Sequence, residues 1–116
     1  MGYCTTYNMT VRHIQDDEQY EALCDALKDK GIIGYALFKD VFYGDTAEFY
    51  SDCDVHWYDH EEDMTEISKM FPTMVFQLRG QGEDPDDRWE KYFQNGDCEE
   101  CRAEIRIPNP TRIRWE

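Results

Sequence analysis

Between Thr46 and Trp57 the chain alternates: Ala47, Phe49, Cys53, Val55 and Trp57 fall on one parity, and Glu48, Tyr50, Asp52, Asp54 and His56 on the other. A period of two belongs to an extended strand with one covered and one solvated face; a helix cannot place such residues on a single side. The stretch predicts a half-buried strand, and with it a sheet. It lies inside a run from Asp40 to Ser68 that holds ten carboxylates and neither Lys nor Arg: Asp40, Asp45, Glu48, Asp52, Asp54, Asp59, Glu61, Glu62, Asp63 and Glu66. Residues on one face of a strand recur about every 6.6 Å, so Glu48, Asp52 and Asp54 are expected to form a row of negative charge beside Tyr50. Like charges side by side cost Coulomb energy that soluble proteins relieve by interspersing Lys and Arg. Here nothing relieves it, and the run is expected to be a binding surface.

The flanking sequence supplies partners for that strand. Tyr7, Met9 and Val11 share a parity within a first strand over Tyr3 to Ile14. Asp16 or Asp17 N-caps a helix whose Tyr20, Leu23, Cys24 and Leu27 recur at helical spacing, with Gly31 past its end. Ile32 to Tyr43 is nearly all apolar and predicts a central strand, turned at Gly44-Asp45 into the acidic strand. From Tyr58 to Phe71 the period changes. Met64, Ile67 and Phe71 form one stripe, Asp59 is the expected N-cap with Glu62 completing a capping box, and Pro72 closes the helix. Thr73 to Arg79 predicts a strand with Met74, Phe76 and Leu78 inward, followed by an acidic loop over Gly80 to Asp87. Trp89 to Gln94 and Cys101 to Ile107 predict two further strands joined through Asn95-Gly96. Pro108 and Pro110 break the ladder before a short tail. The predicted order, β-α-β-β-α-β-β-β, is α+β: a single domain over residues 1–116 with an antiparallel or mixed sheet, two helices on one face and an extra C-terminal hairpin. Its first six elements follow the ferredoxin-like pattern.

Composition narrows the function. Hydrophobic residues make up 41% of the 116 and aromatics 15%, enough for one folded core. A net charge of −14 disfavours nucleic acid and anionic membranes as direct partners and favours proteins with basic grooves. There is no membrane-length apolar run and no secretory leader pattern, so the expected location is the cytoplasm of a host cell. Five cysteines without such a leader read as reduced thiols.

Trp57, Asp63-Met64, Ile67-Ser68, Phe71-Pro72, Phe76, Leu78, Gly80-x-Gly82-Glu83, Asp87-x-Trp89, Tyr92-Phe93 and Asn95-Gly96 together resemble the YubB-type ferredoxin-like domains of phages, plasmids and other mobile elements. The resemblance covers under half of the chain, through core and turn positions. It implies a ferredoxin-like fold and the company of small accessory and anti-defence proteins, and it carries over no catalytic residue.

Other constellations have plainer roles. Cys98-x-x-Cys101 with Cys53, His56 and His60 has zinc-like residue types, but residues three apart on a strand point to opposite faces, and buried thiols are the expectation. A second acidic group, Glu83, Asp84, Asp86 and Asp87, lacks the spacing of a calcium loop and reads as a solvated loop that adds to the acidic surface. No nucleophile, phosphate-loop or metalloprotease motif is present. The expected function is therefore non-catalytic, with no cofactor and no metal: an acidic nucleic-acid mimic that inhibits a host defence nuclease, such as a CRISPR effector or a restriction enzyme. Its expected partner-binding residues are Asp45, Glu48, Tyr50, Asp52, Asp54, Tyr58, Asp59, Glu61, Glu62, Asp63 and Glu66. The competing readings are a small carboxylate-using or metal-dependent enzyme and an accessory interaction domain of a mobile element.

Overall fold

The computed structural model describes residues 5–34, 36–51, 57–82 and 88–102. Within them the elements run β1 (Thr6–Arg12), α1 (Asp17–Asp29), β2 (Phe38–Tyr43), β3 (Thr46–Tyr50), α2 (His60–Met70), β4 (Val75–Gln81), β5 (Arg88–Gln94) and β6 (Asp97–Arg102). The strands form one sheet in the order β2-β3-β1-β4-β5-β6, with every neighbouring pair antiparallel. The class is α+β, as expected. The strand order differs from that of a four-stranded ferredoxin-like sheet, since β5 and β6 extend it beyond β4.

One parity of each inner strand faces the helices. Tyr7, Met9 and Val11 of β1, Ala47 and Phe49 of β3, Phe76 and Leu78 of β4 and Phe93 of β5 are buried in one cluster with Leu23 and Leu27 of α1 and Met64 and Ile67 of α2. The other parity forms a face with no helix on it among the described residues. Asp16 caps α1, its carboxylate accepting from the Gln19 amide at 2.8 Å.

Several boundaries differ from expectation, the acidic strand among them: β3 ends at Tyr50 rather than at Trp57, with Ser51 outside the strand and residues 52–56 outside the described residues. The apolar run from Ile32 does not make a central strand. Gly31 and Gly34 at φ +77° and +98° fold it back, and Ile32, Ala36 and Leu37 fill the core from a turn. Apart from an isolated bridge between Ile33 and Leu37, only Phe38 onward pairs, with β3, and β2 lies at the end of the strand order with Val41 and Tyr43 exposed. Apolar content alone cannot separate a buried turn from a buried strand. In α2, Asp59 takes the N-cap position at φ −93°, ψ 19°, outside the extended region a capping side chain needs, and it makes no side-chain cap bond. The capping box with Glu62 is thus not formed. Gly80 and Gln81 belong to β4 rather than to the loop, because Gly80 leaves room for the Trp89 ring directly across the ladder. Finally, β6 begins at Asp97, immediately after a tight Asn95-Gly96 turn with both φ angles positive, rather than at Cys101.

No described helix is long and apolar enough to cross a membrane.

Candidate functional site

Trp57 sets the start of α2 and thereby the acidic surface. Its indole is buried edge-on against Tyr7 with centroids 5.6 Å apart, and its Nε1 donates to Asp63 Oδ2 at 2.8 Å. Its backbone carbonyl lies 2.9 Å from His60 Nδ1. A carbonyl only accepts, so Nδ1 carries the proton and Nε2 is bare. That bare nitrogen accepts from the Lys91 ammonium at 2.8 Å. His60 also stacks on Trp89 at 4.8 Å and 17°.

Lys91 is the centre of this cluster and is only 8% exposed. Its Nζ reaches Glu61 Oε2 at 3.0 Å and Glu100 Oε1 at 3.7 Å, and it lies 4.8 Å from the Trp89 ring centroid. A buried ammonium is costly unless paired, and here an imidazole nitrogen, two carboxylates and an aromatic face surround it. Glu61 bridges outward from this cluster to the surface of α2.

Burial lowers the His60 pKa, the Trp57 carbonyl works the other way, and the adjacent Lys91 charge lowers it further. The unfolded chain then binds this proton more readily than the folded one. The contribution is complete above the unfolded value of 6.5 and is lost as pH falls from there toward the folded value. Urea unfolding followed from about pH 7.5 down to about pH 5 is expected to show stability declining above the carboxylate range, with that part of the slope absent in His60→Gln. An unchanged slope in the variant would assign the dependence to other groups.

The structure divides the expected acidic surface. Tyr58, Asp59, Glu61, Glu62 and Glu66 converge, with Thr65 and Lys69, on an open groove of about 480 Å³ along the outward side of α2. Tyr58 is 82% exposed there. Glu66 is tied to Lys30, whose hydrogen bond lowers the Glu66 pKa, and Asp63 is committed to Trp57. Glu48 and Tyr50 belong to the opposite, helix-free face of the sheet, Tyr50 with its ring 5.8 Å from Phe38. Asp45 sits in the β2–β3 turn, accepting from Thr46 Oγ1 at 2.9 Å with His13 Nδ1 at 3.9 Å. Asp52, Asp54, Glu83, Asp84, Asp86 and Asp87 lie outside the described residues.

Cys98 pairs with Phe93 on the helix side and Cys101 with Glu90 on the open side, so the two thiols point apart as parity requires, but both are exposed rather than buried because β6 is the last strand of the sheet. Cys53 and His56 lie outside the described residues, and among those described no group of three or more His, Cys, Asp and Glu suits a metal ion.

Sequence reasoning missed Lys91. The signal was present: Trp89, Lys91 and Phe93 share a parity, which places a lysine among core positions. It also missed Arg79 and Arg88, which share the open face with Glu48. Compared with known proteins, the chain matches no family model, no curated protein and no solved structure.

Proposed function

We propose that this chain is a non-catalytic inhibitor that presents the acidic side of α2 to a basic groove made for nucleic acid. The observation that carries this reading is the convergence of Tyr58, Asp59, Glu61, Glu62 and Glu66 on one groove, within a chain of net charge −14. Duplex DNA offers one charge per about 1.7 Å of axis, and a fixed array of carboxylates competes for the same Lys and Arg side chains. The exposed Tyr58 supplies the kind of aromatic anchor found at protein interfaces. The buried Lys91 cluster supports the reading by holding Glu61 and the helix start in place. The strand order β2-β3-β1-β4, with a helix in each crossover, supports a ferredoxin-like frame extended by β5 and β6. With the resemblance to mobile-element domains, it favours a defence nuclease in the host cytoplasm as the target, either an RNA-guided effector or a restriction enzyme.

Cleavage by such nucleases, titrated with the protein, tests this reading. A mimic should give a break near equimolar ratio, should be excluded by prebound DNA or guide RNA, and should weaken steeply with added salt. Paired reversal of Glu62→Lys and Glu66→Lys is expected to cost about a hundredfold or more in affinity, while Glu48→Lys on the other face leaves it unchanged. Complete inhibition at a small fraction of the target concentration would instead indicate catalysis and would end the proposal.

A further inference from the structure

The helix-free face of the sheet carries a second, chemically opposite feature. The ladder register aligns Thr6, Gln81 and Arg88 in one row across β1, β4 and β5, and Asn8, Arg79 and Glu90 in the next. These rows border a groove of about 510 Å³, within the range of roughly 300–1,000 Å³ typical of small-ligand sites. Arg79 and Arg88 are diagonal neighbours, with backbones about 7–8 Å apart, so both guanidinium groups can reach a single anion.

Arg79 Nη2 donates to Thr10 Oγ1 at 2.9 Å, on the side of Arg79 away from the Arg88 row, so its fork has to turn back toward the groove to share an anion with Arg88, and its other N–H groups are available for that contact. Glu90 stands opposite Arg79 in the ladder yet does not neutralise it. Its carboxylate instead accepts from Tyr92 Oη at 2.7 Å, and Tyr92 Oη in turn accepts from Gln77 Nε2 at 3.2 Å. Neither Arg79 nor Arg88 forms an ion pair among the described residues. With 26 acidic residues against 12 basic ones, two arginines set diagonally on one face of the sheet are a local exception to the charge of the chain.

We propose that this groove binds a small organic anion, its carboxylate or phosphate held between the forks of Arg79 and Arg88 with Thr6 and Asn8 as neutral donors. Guanidinium forks match both anions in a bidentate manner. The net charge of −14 selects for size: a polyanion meets the repulsion of the whole molecule. An ion of one or two charges feels mainly its neighbours within a Debye length of about 8 Å.

The test is a titration of isotope-labelled protein with inorganic phosphate, succinate and adenosine monophosphate, each against sodium chloride of equal ionic strength, read by amide chemical shifts. At least one probe should give saturable shifts centred on Thr6, Asn8, Gln81 and Arg88. Saturation by the phosphate probes alone identifies a phosphate ligand, and saturation by succinate alone a carboxylate. Arg88 is exposed at the start of β5, so Arg88→Gln should fold normally and bind about tenfold more weakly or worse. Glu90→Gln removes a competing charge and should tighten binding. The proposal fails if no probe saturates, or if Arg88→Gln binds as tightly as the parent.

Discussion

Gly80→Ala is expected to destabilise the protein by about 2–3 kcal/mol, although alanine is ordinarily the better residue in a strand. A methyl group at this position would lie 2.3 Å from Cε2 and from Cζ2 of Trp89 and 2.8 Å from its Nε1. Removing a glycine gains at most about 1 kcal/mol through the unfolded chain, which does not offset overpacking against a ring held on several sides. Trp89 cannot simply yield: it stacks on His60, lies edge-on to Tyr7 and stands beside the Lys91 ammonium. The variant should therefore lose near-ultraviolet circular dichroism together with stability. A double-mutant cycle isolates the cause. In a Trp89→Leu background the penalty of Gly80→Ala should largely disappear, and a penalty of undiminished size would place the strain elsewhere.

Most of this architecture was legible because the covered positions keep one period through each element. Met9, Val11, Leu23, Leu27, Phe49, Met64, Ile67, Phe76 and Leu78 were read as inward and are buried. The misread parts share a physical origin. Ile32, Ala36 and Leu37 are as apolar as a strand, but burial in a turn leaves the same composition as burial in a ladder. The missing capping box depends on the φ and ψ of Asp59, which residue types do not specify.

The candidate site was half legible for a similar reason. The carboxylates of Tyr58 to Glu66 could be counted, but which of them are engaged depends on tertiary neighbours. Glu61 is engaged by Lys91, thirty residues away, and Glu66 by Lys30, thirty-six away. Glu48, expected to act beside the helix start, lies across the sheet from it because strand parity and the helix layer are set independently. Two of the four carboxylates lining the groove along α2, Glu61 and Glu66, are thus also held by lysines from other elements. The proposed surface is narrower than the acidic run because Glu48 and Tyr50 lie on the other face of the sheet and Asp45 in the β2–β3 turn.

The positioning of that surface rests on Trp57, and Trp57→Ala should have the largest effect on stability, about 3–5 kcal/mol. The side chain is 4% exposed, and its removal leaves a cavity between Tyr7 and the first turn of α2. It also removes the indole donor from Asp63. Domains of this size have a total stability of about 5–15 kcal/mol, so the variant should be partly unfolded at ordinary temperature or reach its urea midpoint much earlier. Trp57→Phe separates the two losses: the ring volume is largely kept and only the hydrogen bond is lost, for an expected cost of about 1–2 kcal/mol. Urea unfolding followed by far-ultraviolet circular dichroism measures both. If Trp57→Phe folds but binds its partner more weakly, the bond to Asp63 sets the helix start that the partner recognises. If its affinity equals that of the parent, packing of the ring alone positions the surface. A loss below about 1 kcal/mol in Trp57→Ala would remove Trp57 from that role.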